Sequence, residues 1–194
     1  MKKSKVETAA THRRIVEAAT EAFTSNGIHA TGVAEIMSAA GLTHGGFYRP
    51  FASKEDLVAQ ACAAGMESTL ATIDASIKGG EQAFIDHFEA HLLAKNRAAC
   101  LGECPLIAMG SELARADSET RRTVTRGYRK LIHAMSANGR SDEGAAMFVF
   151  STILGAITVA RIVDDPALSA RILVEAQQHI AALWSNPEPQ EASG

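Results

Sequence analysis

Five side chains that suit contacts with phosphates and nucleic-acid bases fall within twelve consecutive positions. They are Thr43, His44, Tyr48, Arg49 and Lys54. Together they supply hydroxyl, imidazole, guanidinium and ammonium donors, the groups that proteins use on phosphate oxygens and on base edges. No acidic residue occurs from Ile36 to Lys54, as expected of a surface that faces phosphates. The segment is therefore predicted to contact a polyanion.

Two adjacent glycines, Gly45 and Gly46, lie inside this polar cluster, in the first turn of a predicted short helix. Each glycine costs a helix about 1 kcal/mol relative to alanine, so something must offset that cost. A Gly-Gly pair on its own usually marks a loop. Within a cluster of phosphate donors, it also fits a backbone that must approach another surface closely.

The elements that position this cluster are all predicted to be helices, because apolar residues recur at helical spacing and strand-like alternation is nowhere sustained. The predicted helices cover residues 8–26, 33–40, 44–49, 53–78, 81–96, 105–116, 118–137, 142–163 and 166–184. Gly27 and Gly41 supply left-handed stops, and Pro50 terminates or distorts the third helix. Ser53 and Asp56 form a capping-box variant before the fourth. A longer helix followed by two short ones matches the helix-turn-helix arrangement.

The composition excludes several protein classes. The chain has 194 residues, of which 46% are hydrophobic and 21% charged, so it is neither disordered nor fibrous. The longest charge-free stretch, residues 144–160, is shorter than the roughly 20 residues of a membrane-spanning helix. Three cysteines and the lack of an apolar leader favour a cytoplasmic protein.

The charge is distributed unevenly between the two ends of the chain. The net charge is -3, yet residues 1–14 carry five basic residues and one acidic residue, a balance of +4. Beyond Gln60 there are 12 basic and 16 acidic residues, a balance of -4. This asymmetry predicts that a polyanion meets the N-terminal end alone.

Two stretches within residues 14–61 carry a family resemblance. They read TGVAEI from Thr31 to Ile36 and AGLTHGGFYRPFASKEDL from Ala40 to Leu57. This segment resembles the DNA-binding domain of tetracycline-repressor (TetR-type) regulators. The resemblance implies an all-α protein of about nine helices, with a three-helix helix-turn-helix domain over residues 1–56 and a helical ligand-binding and dimerisation domain over residues 57–184. Residues 185–194 are predicted to be a disordered tail.

The resemblance also implies a function. It predicts a ligand-responsive transcription factor, usually a repressor, that binds a palindromic DNA operator as a homodimer and is released by a small molecule. By position, the residues implied to contact phosphates are Thr31, Thr43, Tyr48 and Lys54. Those implied to face the groove are His44, Gly45, Gly46 and Arg49. Pro50 and Ala34 depart from the family pattern, because each stands where many members carry a polar side chain.

The second half of the chain gives a less specific prediction about the ligand. Seven apolar or polarisable residues on predicted helices could line a cavity for an apolar inducer. They are Met66, Phe84, Phe88, His91, Cys104, Met109 and Phe148. Ordinary core packing is the alternative for each, because apolar stripes at helical spacing usually pack a domain.

A second class of function stays open at this stage, a small helical enzyme or ligand carrier. Cys100 and Cys104 with His87 and His91 match a tetrahedral zinc site in residue type, and the two thiols could form a redox pair or be buried. No paired acids, nucleophile elbow, phosphate loop or dinucleotide fingerprint occurs. The chain is therefore expected to be no enzyme and to hold no metal or cofactor.

The last two predicted helices favour homodimerisation. Residues 147–162 are apolar nearly all round, and such a helix must be covered on both sides. Two copies of this helix and the next could form an intersubunit four-helix bundle, with Ile157 and Ile172 as interface positions. A core within one chain is the alternative.

Overall fold

The computed structural model of the chain describes residues 5–80, 82–84, 86, 104–137 and 142–185. Its regular secondary structure in these ranges is helical, with no strand, and this confirms the predicted all-α class. The helices are α1 (Lys5–Asn26), α2 (Val33–Ala39), a 3-10 helix (His44–Gly46), α3 (Lys54–Lys78), α4 (Pro105–Leu113), α5 (Ser118–Ser136), α6 (Glu143–Ile162) and α7 (Pro166–Ser185). Most of the predicted helix 81–96 lies outside the described residues.

Short-range signals account for most of these helix ends. Gly27 follows α1 with φ 87° and Gly41 follows α2 with φ 67°, the left-handed conformation that glycine adopts without strain. The Asp56 N–H donates to Ser53 Oγ at 3.2 Å, and Asp56 Oδ2 accepts from the Ala52 N–H at 2.9 Å. These bonds confirm the capping-box variant at the start of α3.

The third predicted helix is the exception. Residues 44–49 were expected to form under two turns of helix, yet His44–Gly46 form one 3-10 turn that continues into turns up to Pro50. Its hydrogen bonds run from the Gly46 N–H to Thr43 O at 3.0 Å and from the Phe47 N–H to His44 O at 3.1 Å. Two glycines disfavour the α-helix here, and Pro50 disfavours a helical conformation at the residue before it.

The chain divides into two compact units. The first comprises Met1–Thr69 and Leu101–Tyr128, and the second comprises Leu70–Cys100 and Arg129–Gly194. The core of the first unit is built from buried residues of α1, α2, α3, α4 and α5 and of the segment that follows α2. Its largest fully buried side chains are Phe23, Phe47, Phe51, Ile15, Ile36, Met37 and Leu57.

Two residues predicted to line the inducer cavity pack inside the first unit. Met109 belongs to its core and is 2% exposed. Met66 on α3 packs directly against Gly127 on α5, where an added Cβ would lie only 2.7 Å from Met66 Cβ. Gly127 therefore permits a close approach of these two helices, since any larger residue would overpack the contact.

In the second unit, α6 packs against α7. The buried side of α6 carries Ala146, Val149, Phe150, Ile153, Ile157 and Ala160. Ser169 of α7 is buried and donates to the Ala160 carbonyl oxygen at 2.6 Å. Among the described helices, α6 alone is long and apolar enough to cross a membrane by length and composition, and 33% of that stretch is buried within the chain.

The opposite side of α6 and part of α7 expose large apolar side chains. This apolar stripe consists of Met147, Phe148, Val159, Ile162, Leu168 and Val174. Gly155 lies on the same helix, and a Cβ placed there would meet no atom within 4 Å. Ile157 was predicted to be an interface position, but it lies outside this stripe. It is only 2% exposed and belongs to the core within the chain.

Candidate nucleic-acid interface

The segment from Thr43 to Phe51, called the recognition segment below, separates buried from exposed side chains. Phe47 and Phe51 are 0% and 1% exposed and fix the segment to the core of the first unit. The exposed residues are Thr43, His44, Gly45, Tyr48 and Arg49, which together are called the recognition surface. All five were predicted to contact DNA. The structure brings them together as neighbours within one short segment.

A row of aromatic rings connects α1 to this surface. His12 stacks on Phe51 with ring centroids 4.8 Å apart, and Phe51 stacks on Phe47 at 5.5 Å. Phe47 meets Tyr48 edge to face at 5.0 Å, and Tyr48 meets His44 in the same way at 6.4 Å. These are favourable geometries for aromatic pairs, so α1 helps to set the position of Tyr48 and His44.

Neither conformation nor packing explains the two glycines of the recognition segment. Neither glycine has a positive φ. A Cβ at Gly45 would meet no atom within 4 Å, and a Cβ at Gly46 would lie 3.5 Å from Met37 Cε, an ordinary van der Waals contact. The chain itself therefore tolerates a side chain at Gly45, which favours the interpretation that the bare backbone faces an external surface.

Lys54 and Thr31 are placed differently from the recognition surface. Lys54 begins α3 and is partly buried, and its Nζ donates to the Ile28 carbonyl oxygen at 2.6 Å. Its ammonium group has three donors, so this contact leaves capacity for a phosphate at the positive end of α3. Thr31 is 1% exposed, and its hydroxyl donates to Gly27 O at 2.7 Å and to Ala22 O at 3.2 Å. The Thr31 hydroxyl therefore holds the loop between α1 and α2, and a phosphate contact at Thr31 stays a prediction.

That loop also binds a carboxylate from a distant part of the sequence. Glu112 of α4 accepts from the Ile28 N–H at 3.0 Å, from the His29 N–H at 2.9 Å and from His29 Nδ1 at 2.7 Å. Partial burial opposes ionisation of Glu112, but these hydrogen bonds outweigh it and lower the pKa of the carboxyl group. Sequence reasoning missed Glu112. An acidic side chain in the last turn of a helix interacts unfavourably with the helix dipole, so its position there could have indicated a compensating tertiary contact.

Arg14 and His12 were also missed as supports of the interface. Arg14 reaches from α1 to the Ala40 carbonyl oxygen, at the C-terminal end of α2. A guanidinium group there satisfies an orphan carbonyl and is favoured by the helix dipole. No local pattern indicates either contact, since the partners lie 26 positions apart for Arg14 and 39 for His12.

The residues predicted to line an inducer cavity are not brought together as one site. Phe148 is 56% exposed and lies on the apolar stripe of α6. Phe84 is buried in the second unit, whereas Phe88 and His91 lie outside the described residues. An open groove of about 710 Å³ in the first unit is lined by α1, Pro50 and α3, and its polar lining residues are Thr8, His12, Arg13, Gln60 and Glu67. None of the seven predicted ligand residues lines that groove.

The two cysteines that the structure describes are buried. Burial, with a smaller contribution from the charge of Asp117, raises the pKa of the Cys62 thiol to about 12. Burial also raises the pKa of Cys104, against hydrogen bonds from Ile107, Leu106 and Thr69. Both thiols are therefore protonated at neutral pH, where the thiolate is the reactive form. Cys100, His87 and His91 lie outside the described residues, and the described ones include no cluster of three metal-ligating side chains.

The comparison with protein families decides the assignment of this interface. Residues 15–61 match the family model of bacterial regulatory proteins of the tetR family. This segment of the chain is similar to the DNA-binding segment of tetR-family regulatory proteins. The matched residues run from α1 into α3 and include the whole recognition segment, so the helix-turn-helix predicted from the sequence is confirmed.

Several solved structures share the fold over nearly the whole chain. A TetR regulator from Chloroflexus aurantiacus is 26% identical, with 92% of this chain and 96% of that chain covered and a TM-score of 0.69. Escherichia coli NemR in its reduced form is 17% identical over 88% and 95%, with a TM-score of 0.73. Bacillus subtilis FadR in complex with stearoyl-CoA is 20% identical over 91% and 99%, with a TM-score of 0.61.

Proposed function

We propose that this chain represses transcription by binding a palindromic DNA operator as a homodimer, and that a small apolar molecule releases it. The recognition surface is the observation that carries the DNA-binding part of the proposal. Its polar side chains are exposed while Phe47 and Phe51 beneath them carry the packing. Polar donors that the fold itself does not require are available to a partner.

The chemistry of each residue gives it a role on the duplex. The recognition segment enters the major groove, where His44 and Arg49 reach base edges and the bare backbone at Gly45 allows a close approach. Thr43, Tyr48 and Lys54 bind phosphates and fix the orientation of the segment. Selection of bound sequences from a random duplex pool tests this proposal, because a dimer should select two inverted half-sites.

Lys54→Ala is expected to weaken binding to all duplex sequences by similar factors. Because one phosphate contact is lost, the slope of log affinity against log salt concentration should fall by about one. Arg49→Ala should instead change the preferred bases. Fluorescence anisotropy with labelled duplexes over a range of salt concentrations measures both effects, and Tyr48→Phe against Tyr48→Ala separates the hydroxyl from the ring. Unchanged affinity for both Lys54→Ala and Tyr48→Ala would contradict the proposed docking.

The homodimer is supported by the apolar stripe of α6 and α7. Its six large side chains are between 37% and 75% exposed in the single chain, and contiguous apolar surface of this kind marks protein interaction sites. Gly155 provides room for a close helix approach at its centre. Two copies related by a two-fold axis would cover the stripe with itself.

An apolar inducer is expected in the helical domain from residue 57 to about residue 137. Met66, Cys104 and Met109 are buried there, and a structurally similar regulator, FadR, was crystallised with stearoyl-CoA. Compounds with an aliphatic or aromatic body should raise the unfolding temperature and release operator DNA. Measuring both with a panel of apolar, polyanionic and metal ligands checks this. Release by polyanions or metals alone would contradict the apolar assignment.

TetR-family regulators are in general not enzymes, and we infer the same for this chain. A DNA-binding regulator acts where the chromosome is, so we infer a cytoplasmic location.

A further inference from the structure

One peptide unit in the loop between α1 and α2 is held from both sides by oppositely charged groups. The N–H of His29 donates to Glu112 Oε1 at 2.9 Å, and the carbonyl oxygen of Ile28 accepts from Lys54 Nζ at 2.6 Å. These two groups belong to the same Ile28–His29 peptide. A carboxylate on the N–H strengthens the carbonyl as an acceptor, because hydrogen bonds in a chain polarise one another. The two charged side chains are therefore connected through a single planar unit.

The geometry around this peptide is tightly specified. Glu112 also accepts from the Ile28 N–H at 3.0 Å and from the His29 ring at 2.7 Å, and its side chain is 21% exposed. Gly27 contributes by having no side chain, since a Cβ there would lie 2.9 Å from Glu112 Oε2. The hydroxyl of Thr31 closes the other end of the loop on Gly27 O. Glu112 therefore fixes the point to which Lys54 is attached.

We propose that Glu112 is a positioning residue for DNA binding, acting on Lys54 through the Ile28–His29 peptide. The inference rests on the proposed function, because it assigns the ammonium group of Lys54 to a DNA phosphate. Glu112 touches no DNA in this arrangement. It lies on α4, outside the residues 15–61 that match the family model, and so adds a support that the helix-turn-helix segment lacks by itself.

The sign of the expected effect separates positioning from simple electrostatics. Glu112→Gln removes one negative charge, which by itself strengthens attraction to a polyanion. Positioning predicts the opposite, because a glutamine amide NH₂ cannot accept a hydrogen bond and leaves one loop N–H without its partner. We expect Glu112→Gln to weaken duplex binding by about tenfold, which corresponds to about 1.4 kcal/mol.

Glu119→Gln is the matched control. It also removes one carboxylate of the first unit, but Glu119 is exposed and its carboxylate pairs with Arg122 at 2.8 Å and Arg126 at 3.7 Å on its own helix. Its affinity for duplex DNA should stay equal to or rise above that of the wild-type chain. Binding is measured by fluorescence anisotropy well below the unfolding temperature of each variant, as determined by circular dichroism.

A double-mutant cycle with Lys54→Met tests the route through Lys54. If Glu112 acts on Lys54, adding Glu112→Gln to Lys54→Met should cause no further loss of affinity. Amide hydrogen exchange at Ile28 and His29 should speed up in Glu112→Gln even where α1 stays protected. A purely structural role would give additive losses instead.

The outcomes distinguish this inference from the proposed function. If the wild-type chain binds duplex DNA and Glu112→Gln binds it equally well or more tightly, the positioning role is overturned and the proposed function stands. Additive losses in the double-mutant cycle have the same consequence. Failure of the wild-type chain to bind any duplex from a random pool overturns the proposed function and this inference with it.

Discussion

Val159→Glu is expected to give a folded monomer that no longer binds an operator. Val159 is 47% exposed in the single chain, so water can solvate a carboxylate there without cost to the subunit. In the proposed dimer the position is covered by the partner, and a buried unpaired charge costs about 3–5 kcal/mol. A two-fold symmetric dimer contains the substitution twice and therefore carries that free-energy cost twice. The dimer dissociation constant should rise by at least about four orders of magnitude.

Sedimentation velocity and duplex binding measure this expectation together. Val159→Thr is the matched control, because it keeps the shape of the side chain, replaces one methyl group with an uncharged hydroxyl and should remain dimeric. Ile157→Glu provides the contrast, since Ile157 is 2% exposed and a charge there should unfold the subunit itself. A wild-type chain that sediments at 20.5 kDa and still binds DNA would contradict the proposed interface.

Gly45→Leu is expected to abolish specific DNA binding while the chain keeps or gains stability. A Cβ at Gly45 meets no atom of the chain within 4 Å, and replacing glycine removes a conformational cost of about 1 kcal/mol. The larger side chain would separate the recognition segment from the groove. Since one lost base contact costs about 1–3 kcal/mol, displacing the whole segment should weaken binding by at least about two orders of magnitude.

The measurements are chemical denaturation and binding to the selected operator, with Gly45→Ala as an intermediate step. Gly110→Ala controls for the general effect of removing a glycine, because a Cβ at Gly110 on α4 also meets nothing within 4 Å. It should leave DNA affinity unchanged. Tight operator binding by Gly45→Leu would show that the backbone at Gly45 does not approach the DNA.

Helix boundaries were predictable wherever the signal is local. The fourth helix was expected over residues 53–78 and is Lys54–Lys78, because Ser53 and Asp56 cap one end and a glycine pair follows the other. The third helix was not predictable to the same degree. There, apolar spacing favours a helix through Phe47 and Phe51, whereas Gly45, Gly46 and Pro50 oppose it, and the backbone forms a single 3-10 turn.

The interface was predictable only in part, for a related reason. Phe47 and Phe51 define an inward side by their type, and this leaves Thr43, His44, Tyr48 and Arg49 outside. The support of that surface depends on partners far apart in sequence, such as Glu112 and Ile28 at a separation of 84. Spacing along one helix carries no information about such pairs. The same limit explains the Thr31 hydroxyl, whose hydrogen bonds to Gly27 O and Ala22 O no local pattern indicates.

Different residues of the recognition segment pack against the core and face outward, and this separation affects how DNA specificity can evolve. Packing depends on Phe47 and Phe51, whereas the recognition surface contributes side chains that the core does not require. Substitutions at His44 or Arg49 should therefore change the stability of the fold little, so they can accumulate one at a time without loss of folding. A duplicated copy of this gene could acquire a new operator through such neutral steps, with its helical scaffold left intact.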